Sequence, residues 1–201
     1  MIAIVDYGVG NVRSVANTLA LLGASSVLTK NPEDFAHATH IIFPGVGAFE
    51  DGMDGLRKSG VIKALTHEVQ KTKKPFLGIC LGMQLLTDRG EEGTGAAGLG
   101  WVAGTTRRLR VDESMYRLPH IGWNDVTFGD HPLFANIDGR DFYFVHSYVV
   151  EPTDMRHIIG TCEYGAQFAA AVQRDNIFGV QFHPEKSQKS GQQLLRNFIN
   201  M

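Results

Sequence analysis

Residues 75–87 read Pro75-Phe76-Leu77-Gly78-Ile79-Cys80-Leu81-Gly82-Met83-Gln84-Leu85-Leu86-Thr87, and two structural signals follow one another there. Pro75 to Ile79 is a short apolar run, the mark of a buried strand, and it ends at Cys80. Leu81 to Thr87 continues with helical character. Glycine stands two places before the cysteine and two places after it. A strand, a sharp turn and a helix with that spacing make a nucleophile elbow, here with cysteine in place of serine. The flanking residues must be small, because the central backbone is strained and its neighbours pack closely. A helix N-terminus beneath the sulfur also favours the thiolate. A lone buried cysteine is more often structural, but the elbow context marks Cys80 as a nucleophile.

The strand and helix pattern extends back to residue 2. Ile2 to Val5 reads as a strand, followed by the loop Asp6-Tyr7-Gly8-Val9-Gly10-Asn11 and a helix carrying Val12, Val15, Leu19 and Leu22, with Gly23 at its C-cap. Ser26 to Thr29 is a second strand. Asn31, Pro32, Glu33 and Asp34 give a helix start with cap, first-turn proline and acidic residues in order. Ile41-Ile42-Phe43 is a third buried strand, broken by Pro44-Gly45-Val46-Gly47, and Val61, Leu65 and Val69 have helical spacing. Apolar strands separated by amphipathic helices imply a mostly parallel sheet covered on both faces.

The second half changes character. Asp88 to Gly100 is a glycine-rich loop. Strands then dominate at 142–150, 158–162, 168–173 and 177–182, the last two joined as a hairpin around Arg174-Asp175-Asn176, before a helix over 187–199. The spacing predicts an α/β fold with added antiparallel strands in one domain over residues 1–201.

Composition narrows the function. The chain has 201 residues, 43% hydrophobic and 20% charged, with a net charge of -2, which leaves no electrostatic footprint for nucleic acid or an acidic membrane. No apolar stretch approaches the ~20 residues that span a bilayer, and Met1 to Val5 is too short for a signal-peptide core. A soluble, cytoplasmic protein is expected. Cys80 and Cys162 are the two cysteines, too few for a disulfide framework and without metal-ligand spacing. His37 and His40 alone make no zinc site. Gly8 and Gly10 fail as a dinucleotide loop, since the third glycine position holds Arg13. No metal or cofactor is expected.

A thiol nucleophile needs a base, and the base an orienting group. His183-Pro184-Glu185 follows the strand ending at Phe182, so His183 is the candidate base and Glu185 its carboxylate partner. Pro44-Gly45-Val46-Gly47 also follows a strand. It reads equally as a tight turn or as an oxyanion hole, with the Val46 and Leu81 amides as donors. The two glycines predict a peptide that flips cheaply between orientations.

These stretches, with Pro119-His120-Ile121-Gly122-Trp123-Asn124 and Lys186-Ser187, resemble the class I (triad) glutamine amidotransferase family. Within it they are similar to the branch of glutaminase subunits that serve imidazole glycerol phosphate synthases in histidine biosynthesis. The resemblance covers almost the whole chain. It implies a flavodoxin-like domain in which Cys80 attacks L-glutamine and His183 passes a proton to departing ammonia. It further implies that Gly47, Gln84 and the backbone of Ser147 and Tyr148 hold the glutamine. Glu92, with Glu91 as the alternative, takes its amino group. The implied partner is a (β/α)8-barrel cyclase subunit in a heterodimer, with Asn11, Trp123 and Lys186 at the interface. The same core motifs fit a glutaminase of another pathway such as pyridoxal phosphate or purine synthesis, a cysteine hydrolase of the same superfold, or a non-catalytic scaffold.

Overall fold

The computed structural model describes residues 1–8 and 10–201, so Val9 of the first loop lies outside the described residues. In chain order the elements are β1 (Ile2–Val5), α1 (Val12–Leu21), β2 (Ser26–Thr29), α2 (Pro32–His37), β3 (His40–Gly45), α3 (Phe49–Ser59), α4 (Ile62–Thr66), β4 (Phe76–Cys80) and α5 (Leu81–Gln84). There follow β5 (Arg89–Gly90), β6 (Ala96–Ala97), β7 (Gly104–Arg108), β8 (His120–Phe128), β9 (Asp141–His146), β10 (Tyr148–Pro152), β11 (Ile158–Glu163), β12 (Gln167–Arg174), β13 (Ile177–Val180) and α6 (Gln188–Ile199).

Five parallel strands run in the order β2-β1-β3-β4-β13. This is the flavodoxin-like order 2-1-3-4-5, with the fifth strand supplied from the far end of the chain. Period-two alternation splits their side chains into two cores. Ile2, Ile4, Ile42, Leu77 and Ile79 pack with Val15 and Leu19 of α1 and Leu194, Leu195 and Phe198 of α6. Ala3, Val5, Ile41, Phe43 and Phe76 pack on the other side with Phe35, Met53, Leu56 and Leu65. Each fully buried Phe or Leu contributes about 1.5–3 kcal/mol, so the layered pattern itself fixes strand register. Antiparallel strands extend the sheet beyond β13, with β12 pairing β13, β10 and β11, and β8 joining β11 to β9. Among the described residues no helix is long and apolar enough to cross a membrane.

Several boundaries depart from the sequence expectation. The third strand is not broken at Pro44; it continues to Gly45, which pairs with Cys80. The helix after the elbow stops at Gln84 rather than Thr87, because Thr87 Oγ1 and Thr106 Oγ1 both donate to the Gln84 carbonyl. The segment 88–100 contains the small antiparallel pair β5–β6. The expected strand 142–150 is two strands that part at Ser147: β9 pairs β8, and β10 pairs β7 and β12. α3, β7 and β8 had no counterpart in the sequence reading.

Candidate active site

The elbow is held by backbone contacts. Cys80 has φ 54° and ψ -111°, a strained conformation for a side chain other than glycine. A Cβ on Gly78 would lie 2.7 Å from the Gly82 carbonyl oxygen, and one on Gly82 would overlap the Phe43 carbonyl oxygen. Both glycines are therefore steric requirements of α5 packing against β3 and β4. The strain orients the Cys80 sulfur into a pocket of about 250 Å³ lined also by Val46, Gly47, Gln84, Glu92 and His183.

His183 sits just past β13 and is buried. Its Nδ1 lies 2.9 Å from Glu185 Oε1. The same oxygen accepts from Asn11 Nδ2 at 3.2 Å, while Asn11 Oδ1, at the start of α1, accepts from Ser14 Oγ at 2.7 Å instead of capping a backbone N–H. Burial pulls the His183 pKa down, but its hydrogen bonds to Cys80 and Glu185 outweigh that and raise it to about 10. His146, the other histidine on the pocket wall, is pushed down to about 3, by burial first and then by His120, and both its nitrogens are engaged. Geometry and charge thus set His183 apart as the candidate proton carrier.

The expected oxyanion donors sit on two elements of different rigidity. Leu81 supplies the first amide of α5, which has no acceptor within the helix. Val46 and Gly47 form the loop after β3, where the Val46 N–H has no acceptor among the described residues. Of the two glycines expected to permit a flip, only Gly47 is conformational, with φ 100° and nothing near its Cβ position. Gly45 is needed for room, since a Cβ there would overlap the Tyr7 hydroxyl.

The expected glutamine-binding groups gather around the same pocket. Gly47, Gln84, Glu92, Ser147 and Tyr148 all line it, whereas Glu91 lies outside, 3.3 Å from Arg107 Nε. One Glu92 oxygen accepts from the Phe49 N–H at 2.8 Å, which fixes the carboxylate at the start of α3. The Ser147 and Tyr148 carbonyls are already taken by the Leu109 N–H and by Gln84 Nε2. The Ser147 N–H has no acceptor among the described residues. Gln84 Nε2 spends its two donors on Tyr148 O and Gln181 Oε1, which leaves Gln84 Oε1 for a ligand.

The expected interface residues lie beside the histidine. Trp123 is 45% exposed on β8 and meets Tyr143 edge-on at 6.0 Å. Lys186 lies over the same Tyr143 ring at 5.6 Å. Ile121, 60% exposed, extends this apolar strip. Gln181 was not anticipated: it is fully buried and its Nε2 lies 3.7 Å from the Cys80 sulfur. Its signal was a lone amide in an apolar run, two residues before His183 and so on the same side of an extended chain. Among the described residues no cluster of side chains could hold a metal.

Comparison with known proteins agrees with this arrangement. Residues 3–201 match the family described as glutamine amidotransferase class-I. The imidazole glycerol phosphate synthase subunit HisH 2 of Pseudomonas aeruginosa is 48% identical, with all of both chains covered. Its namesake from Methanococcus maripaludis is 47% identical over 99% of this chain and 98% of its own. A solved glutamine amidotransferase, 17% identical, shares the fold at a TM-score of 0.77 over 100% of this chain and 98% of its own. The chain belongs to the class-I glutamine amidotransferases and, within them, to the family of the imidazole glycerol phosphate synthase subunit HisH.

Proposed function

We propose that this protein hydrolyses L-glutamine through a Cys80 thioester and delivers the ammonia to a cyclase subunit, in histidine biosynthesis in the cytoplasm. The carrying observation is a cysteine at φ 54° that shares one pocket with His183, an imidazole itself paired with Glu185. An imidazolium beside a thiol favours the thiolate. The sulfur attacks the side-chain carbonyl carbon of glutamine, and the C=O electrons move onto oxygen. The Leu81 N–H and a correctly turned Val46 N–H stabilise that oxyanion. The C–N bond then breaks, and the nitrogen leaves as ammonia with the His183 proton. Neutral His183 next deprotonates water, which attacks the thioester and releases glutamate. Glu185 keeps Nδ1 protonated and the ring aimed at sulfur.

Ammonia becomes ammonium in neutral water and loses its nucleophilicity, so the acceptor must meet it in shelter. The apolar strip of Ile121 and Trp123, with Lys186 and Asn11 next to the triad, is the docking face for a (β/α)8-barrel cyclase in a heterodimer. Glu92 takes the amino group of glutamine. A diazoketone analogue of glutamine tests the reading, because it alkylates an amidotransferase nucleophile. Labelling is expected at Cys80 and not at Cys162, whose thiol burial pushes up to about 12. Absence of label at Cys80 overturns the proposal.

A further inference from the structure

We infer that Gln181 is a further residue of the reacting site, donating from Nε2 to the Cys80 sulfur, and that its amide is oriented through Gln84 by the Tyr148 carbonyl, which a chain of Asn124, His120 and His146 holds in place. The inference rests on Cys80 being the nucleophile. Each step is a short contact between groups with a defined role. Asn124 Nδ2 lies 3.3 Å from His120 Nε2, and His120 Nδ1 lies 3.0 Å from His146 Nε2. His146 Nδ1 lies 3.0 Å from the Tyr148 carbonyl, which also accepts from Gln84 Nε2 at 2.9 Å. Gln84 Nε2 reaches Gln181 Oε1 at 3.2 Å, and Gln181 Nε2 reaches Cys80 Sγ at 3.7 Å.

The direction of every bond follows from the one group that can only accept. Tyr148 O is a carbonyl, so His146 Nδ1 carries the hydrogen. Burial keeps both rings neutral, His120 at about 4 and His146 at about 3. Neutral His146 therefore accepts at Nε2, His120 donates from Nδ1, and His120 Nε2 accepts from Asn124. Asn124 holds its own orientation by donating to Glu163 O at 2.9 Å. At the other end, Gln84 must present its amine to Tyr148 O. Its second hydrogen then selects Oε1 of Gln181, which turns the Gln181 amine to the sulfur. The opposite flip would place an amide oxygen against a thiolate.

His120 is clamped for this task between Phe144 and Tyr164, stacked at 4.9 and 4.1 Å. The other groups facing the sulfur are His183, the buried Tyr7 phenol from the loop after β1, neutral His146 and the Val145 carbonyl, which accepts from the thiol at 3.7 Å. Val145 favours the thiol and Gln181 the thiolate. Gln181 thus acts on the reacting atom, while His120 and His146 are positioning residues that act by holding the Tyr148 carbonyl to which Gln84 donates.

The test is the pH dependence of Cys80 alkylation by iodoacetamide in the full chain, read by peptide mass spectrometry. A hydrogen bond to a charged group is worth about one pKa unit or more. Gln181→Leu is therefore expected to move the alkylation midpoint upward by about one pH unit and slow labelling about tenfold at pH values below both midpoints, with the high-pH plateau unchanged. Gln181→Glu, equal in size, shifts it further. His120→Leu moves it in the same direction by less, and His120→Asn, which keeps a donor near the Nδ1 position, recovers part of the loss. An unchanged midpoint in Gln181→Glu, under conditions where His183→Ala shifts it, overturns the inference. Alkylation needs no glutamine, so a wild-type chain that titrates as described but never hydrolyses glutamine defeats the proposed function and not the relay.

Discussion

Two strand ends meet at the pocket, and they are built differently. At the end of β4 the chain is jammed: Cys80 occupies a strained conformation, and the glycines on either side leave no room for even a methyl group. At the end of β3 the chain is loose: Val46 is 40% exposed, its N–H has no acceptor among the described residues, and Gly47 has open space around it. On the proposed reading, the nucleophile is preorganised and the Val46 N–H, its proposed oxyanion donor, sits on a loop free to turn. We propose that a glutaminase built this way holds its attacking atom in place and leaves the last hydrogen bond of the transition state to be switched.

The largest expected effect lies on the rigid side. Cys80→Ala should reduce glutamine hydrolysis in the cyclase complex by about a million-fold while ammonia-dependent cyclase turnover survives, measured as glutamate and imidazole product separately. Loss of both activities would mean that the cysteine holds the fold. Gly82→Ala attacks the same region sterically. Overpacking against a backbone carbonyl costs about 1–3 kcal/mol or more, and a marked fall in the denaturant midpoint is expected.

Gly47→Ala is the contrasting change on the loose side. It meets no atoms, so the penalty is conformational, about 1–2 kcal/mol for a positive φ. The protein should fold, with glutamine kcat/KM reduced. Equal destabilisation by Gly82→Ala and Gly47→Ala would erase the comparison. The smallest effect is electrostatic. The His183 pKa is raised from 6.5 to about 10, so its stabilising contribution is full below about 6.5 and disappears as pH rises through 10. Cys80→Ala removes one of the groups that raise it, so the alkaline fall in the unfolding midpoint should begin at lower pH than in wild type.

The same contrast governs what could be read in the sequence. Cys80, His183 and Glu185 were legible because each sits in a short local motif at a strand end. α3 was not, because Gly52 and Gly55 lower helix propensity. The structure gives their reason: a Cβ on Gly52 would press on Leu81 and Leu85 at 3.0 Å, and one on Gly55 would lie 2.7 Å from the Tyr7 carbonyl oxygen. β8 was hidden because Gly122, Asn124 and Asp125 imitate a turn, although its inward residues His120 and Val126 are buried. Gln181 stood out only as a lone amide, and its role, like that of the histidine pair, was hidden for a deeper reason. Their roles exist only in contacts between residues far apart in the chain, and no local pattern encodes a hydrogen-bond direction.

The central claim is that the elbow is ready and the loop at Val46–Gly47 waits for the partner. Its most direct test is the rate of glutamate release by the chain alone and in complex with the cyclase subunit carrying its nucleotide. One oxyanion donor is worth about 10²–10³ in kcat. A slow rate alone that rises by at least that factor in the complex is the predicted result. Rapid hydrolysis by the isolated chain, unchanged by the partner, would contradict it.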